Sequence, residues 1–152
     1  MLQDALLAWL HYLAIFLLVG MLCIEAALLR PGLAAQAALR LARYDRLYGL
    51  ASLAVLLRGG LRMAYGAKGA AFYIGNPWFH AKIAIFVLIG LCSIIPTLRL
   101  MRWRREAKND SAAAFAPTPR EIARVRRWVL LELHLLLLIP LCAVMMARGL
   151  GF

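Results

Sequence analysis

Negative charge is what this sequence has least of. Of 152 residues only 7 are Asp or Glu, against 18 Lys and Arg, giving a net charge of +11 at neutral pH. Charge of either sign is sparse at 16%, where a soluble domain carries about a quarter. With 64% hydrophobic residues and a mean hydropathy of +0.78, the composition excludes an ordinary soluble enzyme and points to lipid as the solvent. The three cysteines, Cys23, Cys92 and Cys142, lie far apart inside apolar runs. That placement argues against a disulfide framework or a thiolate metal centre. Strict alternation of polar and apolar residues is missing, which excludes a membrane β-barrel. No nucleic-acid recognition module is visible, so the positive charge does not point to DNA or RNA. The methionines are scattered and make no copper-binding cluster. The chain start has neither a basic leader region nor a small-residue cleavage site, so its first apolar run reads as a retained helix.

What is present is a set of continuous apolar runs. They predict membrane spans over about 5–29, 47–65, 77–98 and 128–147, each close to the roughly 20 residues needed to cross a bilayer. Pro31-Gly32 ends the first, and Asn76-Pro77 reads as a helix cap with proline in the first turn of the third. Thr118-Pro119-Arg120-Glu121 has the spacing of a capping box, so the fourth helix is expected to start well before its apolar part. The segment Lys108 to Pro117 reads as a mobile loop, and Gly66 to Phe79, with Phe72, Tyr73, Trp78 and Phe79, as an interfacial aromatic belt. The expected architecture is all-α: one integral domain over residues 1–152, a four-helix transmembrane bundle with antiparallel neighbours.

Positive charge follows the connections. Arg30, Arg40, Arg43 and Arg46 lie in the first, and nine Lys and Arg between Arg99 and Arg127 lie in the third. Lys68 and Arg148 stand alone in the second connection and the tail, a bias of thirteen to two. Cytoplasmic loops carry the excess of Lys and Arg, so the first and third connections are expected inside and both termini in the periplasm of a bacterial inner membrane.

Ionisable residues inside spans are costly and mark function. His11 falls about 9 Å and His80 about 5 Å below the outer end of their helices. Two imidazoles at similar depth could ligate a b-type haem between helices, and Arg58, Arg62 and Lys82 could then meet its propionates. Arg58, deeper than Arg62 on the same face, is expected to have an anionic partner within the bundle. Each histidine also has a plainer reading as an interhelical hydrogen bond, the expected role of His134. Glu25, on nearly the same stripe as His11, is expected to be neutral or paired with arginines near the inner face, with a proton-relay or substrate-contact role as the alternative.

The stretches Gly60-Leu61-Arg62, Lys68-Gly69, Tyr73, Asn76-Pro77-Trp78-Phe79-His80-Ala81-Lys82 and Ser93-Ile94-Ile95-Pro96-Thr97 with Trp103 resemble a family of small bacterial membrane proteins of unknown function. His11 and the segment from Trp78 to Lys82 also bear a more distant likeness to the HemJ-type protoporphyrinogen oxidases, which are four-helix inner-membrane proteins that bind haem b. That likeness implies His11 as a haem ligand and Lys82 as a functional cation.

The expectation is therefore a haem-binding inner-membrane protein that passes electrons between haem and a quinone or oxidises a small substrate, with His11 and His80 as metal ligands. The alternative is a non-enzymatic accessory or assembly subunit that packs on other membrane proteins or on itself, using Gly20, Gly49, Gly59, Gly60 and Gly90 for close helix approach. A small transporter is a weaker third reading, because no internal repeat is present.

Overall fold

A computed structural model of the chain describes residues 2–65, 69–109 and 115–150. These residues form α1 (Leu2–Leu28), α2 (Ala35–Tyr65), a short α3 (Gly69–Ile74), α4 (Pro77–Asn109) and α5 (Pro119–Ala147). The four long helices are each long and apolar enough to cross a membrane. α1 packs mainly on α2 and α4 mainly on α5; α2 against α4 joins the two pairs, and α1 meets α5 over a shorter stretch. Neighbours are antiparallel, since Gly59 late in α2 lies against His11 early in α1, and Thr97 late in α4 bonds Asp45 early in α2.

Local signals set the helix ends. Gly32, at φ +79°, turns the chain between α1 and α2. The Asn76 side chain accepts from the Trp78 amide at 2.9 Å and so caps α4, while Thr118 and Glu121 form the capping box of α5. Gly149, at φ +74°, closes the far end of α5, where the Leu150 amide donates to the Met145 carbonyl.

Two helices are longer than the expected spans. α2 begins at Ala35, about three turns before Leu47, and α4 continues about as far beyond Leu98. The reason lies in the polar turns: Ala, Leu and Arg favour helix, and Ala38, Leu41, Ala42, Asp45 and Tyr48 keep one face buried. At 33 residues α4 is about 50 Å long against a hydrocarbon core of about 30 Å, so it projects from the membrane. Leu33, Leu41, Leu100, Trp103, Phe115, Ile122 and Val125 are buried where α2, α4 and α5 project together. The bundle thus has a tightly packed basic end and a more open opposite end, where Ala14, Tyr73, Asn76 and Cys142 are the buried residues.

Helix reaches into both expected loops. Lys108 and Asn109 finish α4 and Phe115 is buried in the core; the rest of the expected loop, 110–114, lies outside the described residues. Between Tyr65 and Pro77 the chain makes α3, with Tyr73 buried and stacked edge-on to Phe72; Lys68 lies outside the described residues.

Polarity runs opposite to that of a soluble protein. Trp9, Phe16, Leu57, Leu91 and Leu137 are exposed, whereas Glu25, Asp45, Asn76 and Glu132 are buried. A hydrocarbon solvent favours this arrangement, since it takes apolar side chains at no cost and leaves polar ones to find partners inside.

Candidate functional site

Polar side chains gather at two levels of the bundle. Glu25 follows His11 by fourteen residues in α1, which separates the levels by about 21 Å. Both belong to the inward stripe of α1, together with Ala14, Leu18 and Leu22.

At the opposite end, His11 is half-buried and its Nδ1 is a buried nitrogen with no hydrogen-bond partner among the described residues. A Cβ at Gly59 would lie 3.6 Å from His11 Cε1, an ordinary contact, so the ring packs against α2 at this glycine. The charges of Lys82 from α4 and Arg62 from α2 both reach this imidazole. The Lys82 ammonium lies 5.3 Å over the Phe79 ring, a contact that holds it near the start of α4.

The other expected site residues are placed differently. His80 is exposed, with Nε2 2.8 Å from the Ile74 carbonyl, so it ties the end of α3 to the start of α4. Arg58 is half-buried and, among the described residues, makes neither an ion pair nor a hydrogen bond; Arg62 is the arginine whose charge is felt at His11. His134 is exposed, and its Nδ1 lies 2.6 Å from the Leu130 carbonyl of its own helix. It therefore bonds within α5 and not between helices, because its position turns outward while Glu132 and Leu136 turn in.

At the basic end, Glu25 of α1, Asp45 of α2 and Glu132 of α5 come together, close enough to feel one another's charge. The Tyr48 hydroxyl donates to Glu132 Oε2 at 3.0 Å, and the Thr97 hydroxyl donates to Asp45 Oδ1 at 2.7 Å. Glu25 has no arginine partner among the described residues. Arg46 donates through Nε to the Ala42 carbonyl of its own helix, and Arg126 donates to the Ala26 carbonyl at 3.4 Å. Beside Asp45, a groove of about 480 Å³ runs between α2 and α4, lined by Tyr48, Ser52, Phe86, Gly90, Ser93 and Thr97 among others. Tyr48 and Thr97 were not singled out from sequence. Their signal is helical spacing: Tyr48 follows Asp45 by one turn, and Thr97 follows Ser93 by one turn on the apolar α4.

Outside the membrane, Glu121 is held below the usual carboxylate range by the backbone and hydroxyl hydrogen bonds of Thr118, with Arg99 and Arg102 adding to the effect. Among the described residues, no group of three His, Cys, Asp or Glu is spaced to hold a metal ion.

Four apolar helices enclosing buried carboxyl groups and a half-buried imidazole define a multi-pass membrane protein. The chain belongs to the family described as "Predicted membrane protein (DUF2214)", whose model matches residues 3–151. No curated protein and no solved structure matches it.

Proposed function

We propose that this is a redox protein of the bacterial inner membrane that binds one b-type haem at its periplasmic end, which His11 would hold. The observation that carries this reading is the state of the three histidines. His80 and His134 each contact a backbone carbonyl, whereas His11 is half-buried in the bundle and, among the described residues, its Nδ1 has no hydrogen-bond partner. An imidazole in that position is free to ligate iron. Arg62 and Lys82 fit beside it as counter-charges for propionates, since carboxylates at the membrane edge require cations. A haem bound there would supply one-electron chemistry for exchange with a quinone or a small substrate, as the HemJ likeness suggests. The chain supplies ligation, orientation and charge. His80 could join as the second ligand by giving up its contact with Ile74.

Orientation follows from the thirteen-to-two bias of Lys and Arg toward the connections at the basic end, which places that end in the cytoplasm. The test is colour. Protein purified from haem-replete cells should show a sharp Soret band that His11→Ala removes and His134→Ala leaves alone. His80→Ala should remove the band or change the spin state if His80 is the second ligand. A colourless protein that takes up no added haem overturns the reading.

A second reading, an accessory subunit, is favoured by the glycines. A Cβ added at Gly20 or Gly60 meets nothing within 4 Å, so these positions leave room for a close helix from another protein or a second copy. Gly59 is occupied by His11 and takes no part in such a face. Crosslinking in native membranes through cysteines placed at Gly20 and Gly60 separates the two readings.

A further inference from the structure

The carboxyl groups at the basic end have no role in haem binding, and their surroundings pose a separate chemical problem. Glu25 and Glu132 are each 1% exposed and Asp45 is 6% exposed. Three negative charges this close in a low dielectric cannot all persist without cations. Among the described residues, Arg46 is a cation whose charge reaches Asp45, and no Lys or Arg makes an ion pair with any of the three acids. Tyr48 and Thr97 donate hydrogen bonds to one oxygen each, Cys92 of α4 is near Glu132, and Arg46 and Arg126 donate to backbone carbonyls. Glu25 Oε1 and Glu132 Oε1 are buried and, among the described residues, have no hydrogen-bond partner. An acid oxygen left open in this way has room for a proton.

The groove between α2 and α4 reaches Asp45 but is not lined by Glu25 or Glu132. Ser52, Ser93 and Thr97 put hydroxyl groups along it, while Phe86 and Gly90 shape its apolar wall. We infer that Glu25, Asp45 and Glu132 form a proton-exchange site that fills and empties through this groove, with Asp45 as the group that meets the exchanging water. A hydronium ion in the groove gives its proton to the Asp45 carboxylate and leaves as water. The proton on Asp45 then passes to whichever of Glu25 and Glu132 is ionised, and Asp45 returns to the carboxylate. The cluster thereby holds protons in the membrane interior and exchanges them at one face. This function is independent of the haem reading.

Infrared spectroscopy of the full chain in lipid nanodiscs tests it without any cofactor. A carboxylic-acid carbonyl band should be present at neutral pH, shift in heavy water, and weaken in Glu25→Gln and in Glu132→Gln, which keeps an acceptor for Tyr48. Asp45→Asn, which keeps an acceptor for Thr97, should retain the glutamic-acid band but slow its isotope exchange several-fold. Gly90→Leu places a side chain where nothing lies within 4 Å of the new Cβ. It should keep the whole band and slow exchange several-fold by filling the groove. Absence of an acid band at neutral pH overturns the proposal. So does loss of the band on adding sodium or calcium ions at constant pH, which would mark a cation site, or wild-type exchange in both Asp45→Asn and Gly90→Leu.

Discussion

A polar side chain inside a bilayer is defined by the partner it finds, and single residues here differ sharply in that respect. Tyr48 spends its hydroxyl on Glu132, whose other oxygen already lacks a partner. Tyr48→Phe should therefore cost about 1–3 kcal/mol, the penalty of leaving a buried acceptor unsatisfied. Thermal unfolding in lipid measures it, and Glu132→Leu in the Tyr48→Phe background should recover part of the loss. Gly59 lies against the His11 ring with room for a Cβ and little more. Gly59→Ala brings its Cβ to an ordinary contact of 3.6 Å and should retain haem, whereas Gly59→Leu should push the ring aside and lose it, as read from the Soret absorbance. The presence of His11, Arg62 and Lys82 near one depth could be counted from sequence by helical rise. Their convergence could not, because rise gives depth without rotation. The same limit explains Arg58, which shares the face and half of the membrane expected for it and yet is not the arginine felt at His11.

At the scale of elements, the cap of α5 combines local chemistry with tertiary packing. Thr118 and Glu121 satisfy the first turn of a helix whose next residues, Ile122 and Val125, are buried in the extramembrane core. Thr118→Ala should lower stability by about 1 kcal/mol. The loss should appear as faster amide hydrogen exchange over the first turns of α5 with the membrane part unchanged. Because the Thr118 hydrogen bonds hold Glu121 below its ordinary pKa, the ionised side chain stabilises the cap above the usual carboxylate range. That contribution is lost as pH falls through the depressed folded value. Protection of the Thr118 amide, which donates to Glu121 Oε2, should therefore fade on acidification in the native chain and lose that pH dependence in Glu121→Gln, which keeps a hydrogen-bonding side chain without the titration. α3 illustrates the opposite situation, since its six residues cannot hold a helix alone. Burial of Tyr73 and the hold of His80 on the Ile74 carbonyl stabilise it, and neither is visible in a window of sequence.

For the whole molecule, the asymmetry between a packed basic end and an open opposite end makes orientation the leading question. A reporter fused after Asn109, at the basic end, should behave as cytoplasmic, and one fused after Leu150 as periplasmic. The reverse result would exchange the faces at which the haem and the proton-exchange site are proposed. It would leave the bundle itself intact.

Composition and the length of the apolar runs were enough to determine four membrane-crossing helices, their antiparallel order and the gathering of positive charge at one end. The physical reason is that a bilayer requires every backbone group to be satisfied within its own segment, so span length and hydropathy decide structure locally. Caps behaved in the same way, because Asn76, Thr118 and Glu121 act within a few residues of themselves. Only the tertiary structure decided which polar groups face one another. Depth along a helix is counted in residues, but the direction a side chain points depends on how four helices rotate against each other. Among the described residues, Glu25 consequently meets two other acids and none of the arginines offered as one of its expected states, and His11 Nδ1 has no hydrogen-bond partner, with the charges of Arg62 and Lys82 reaching the ring.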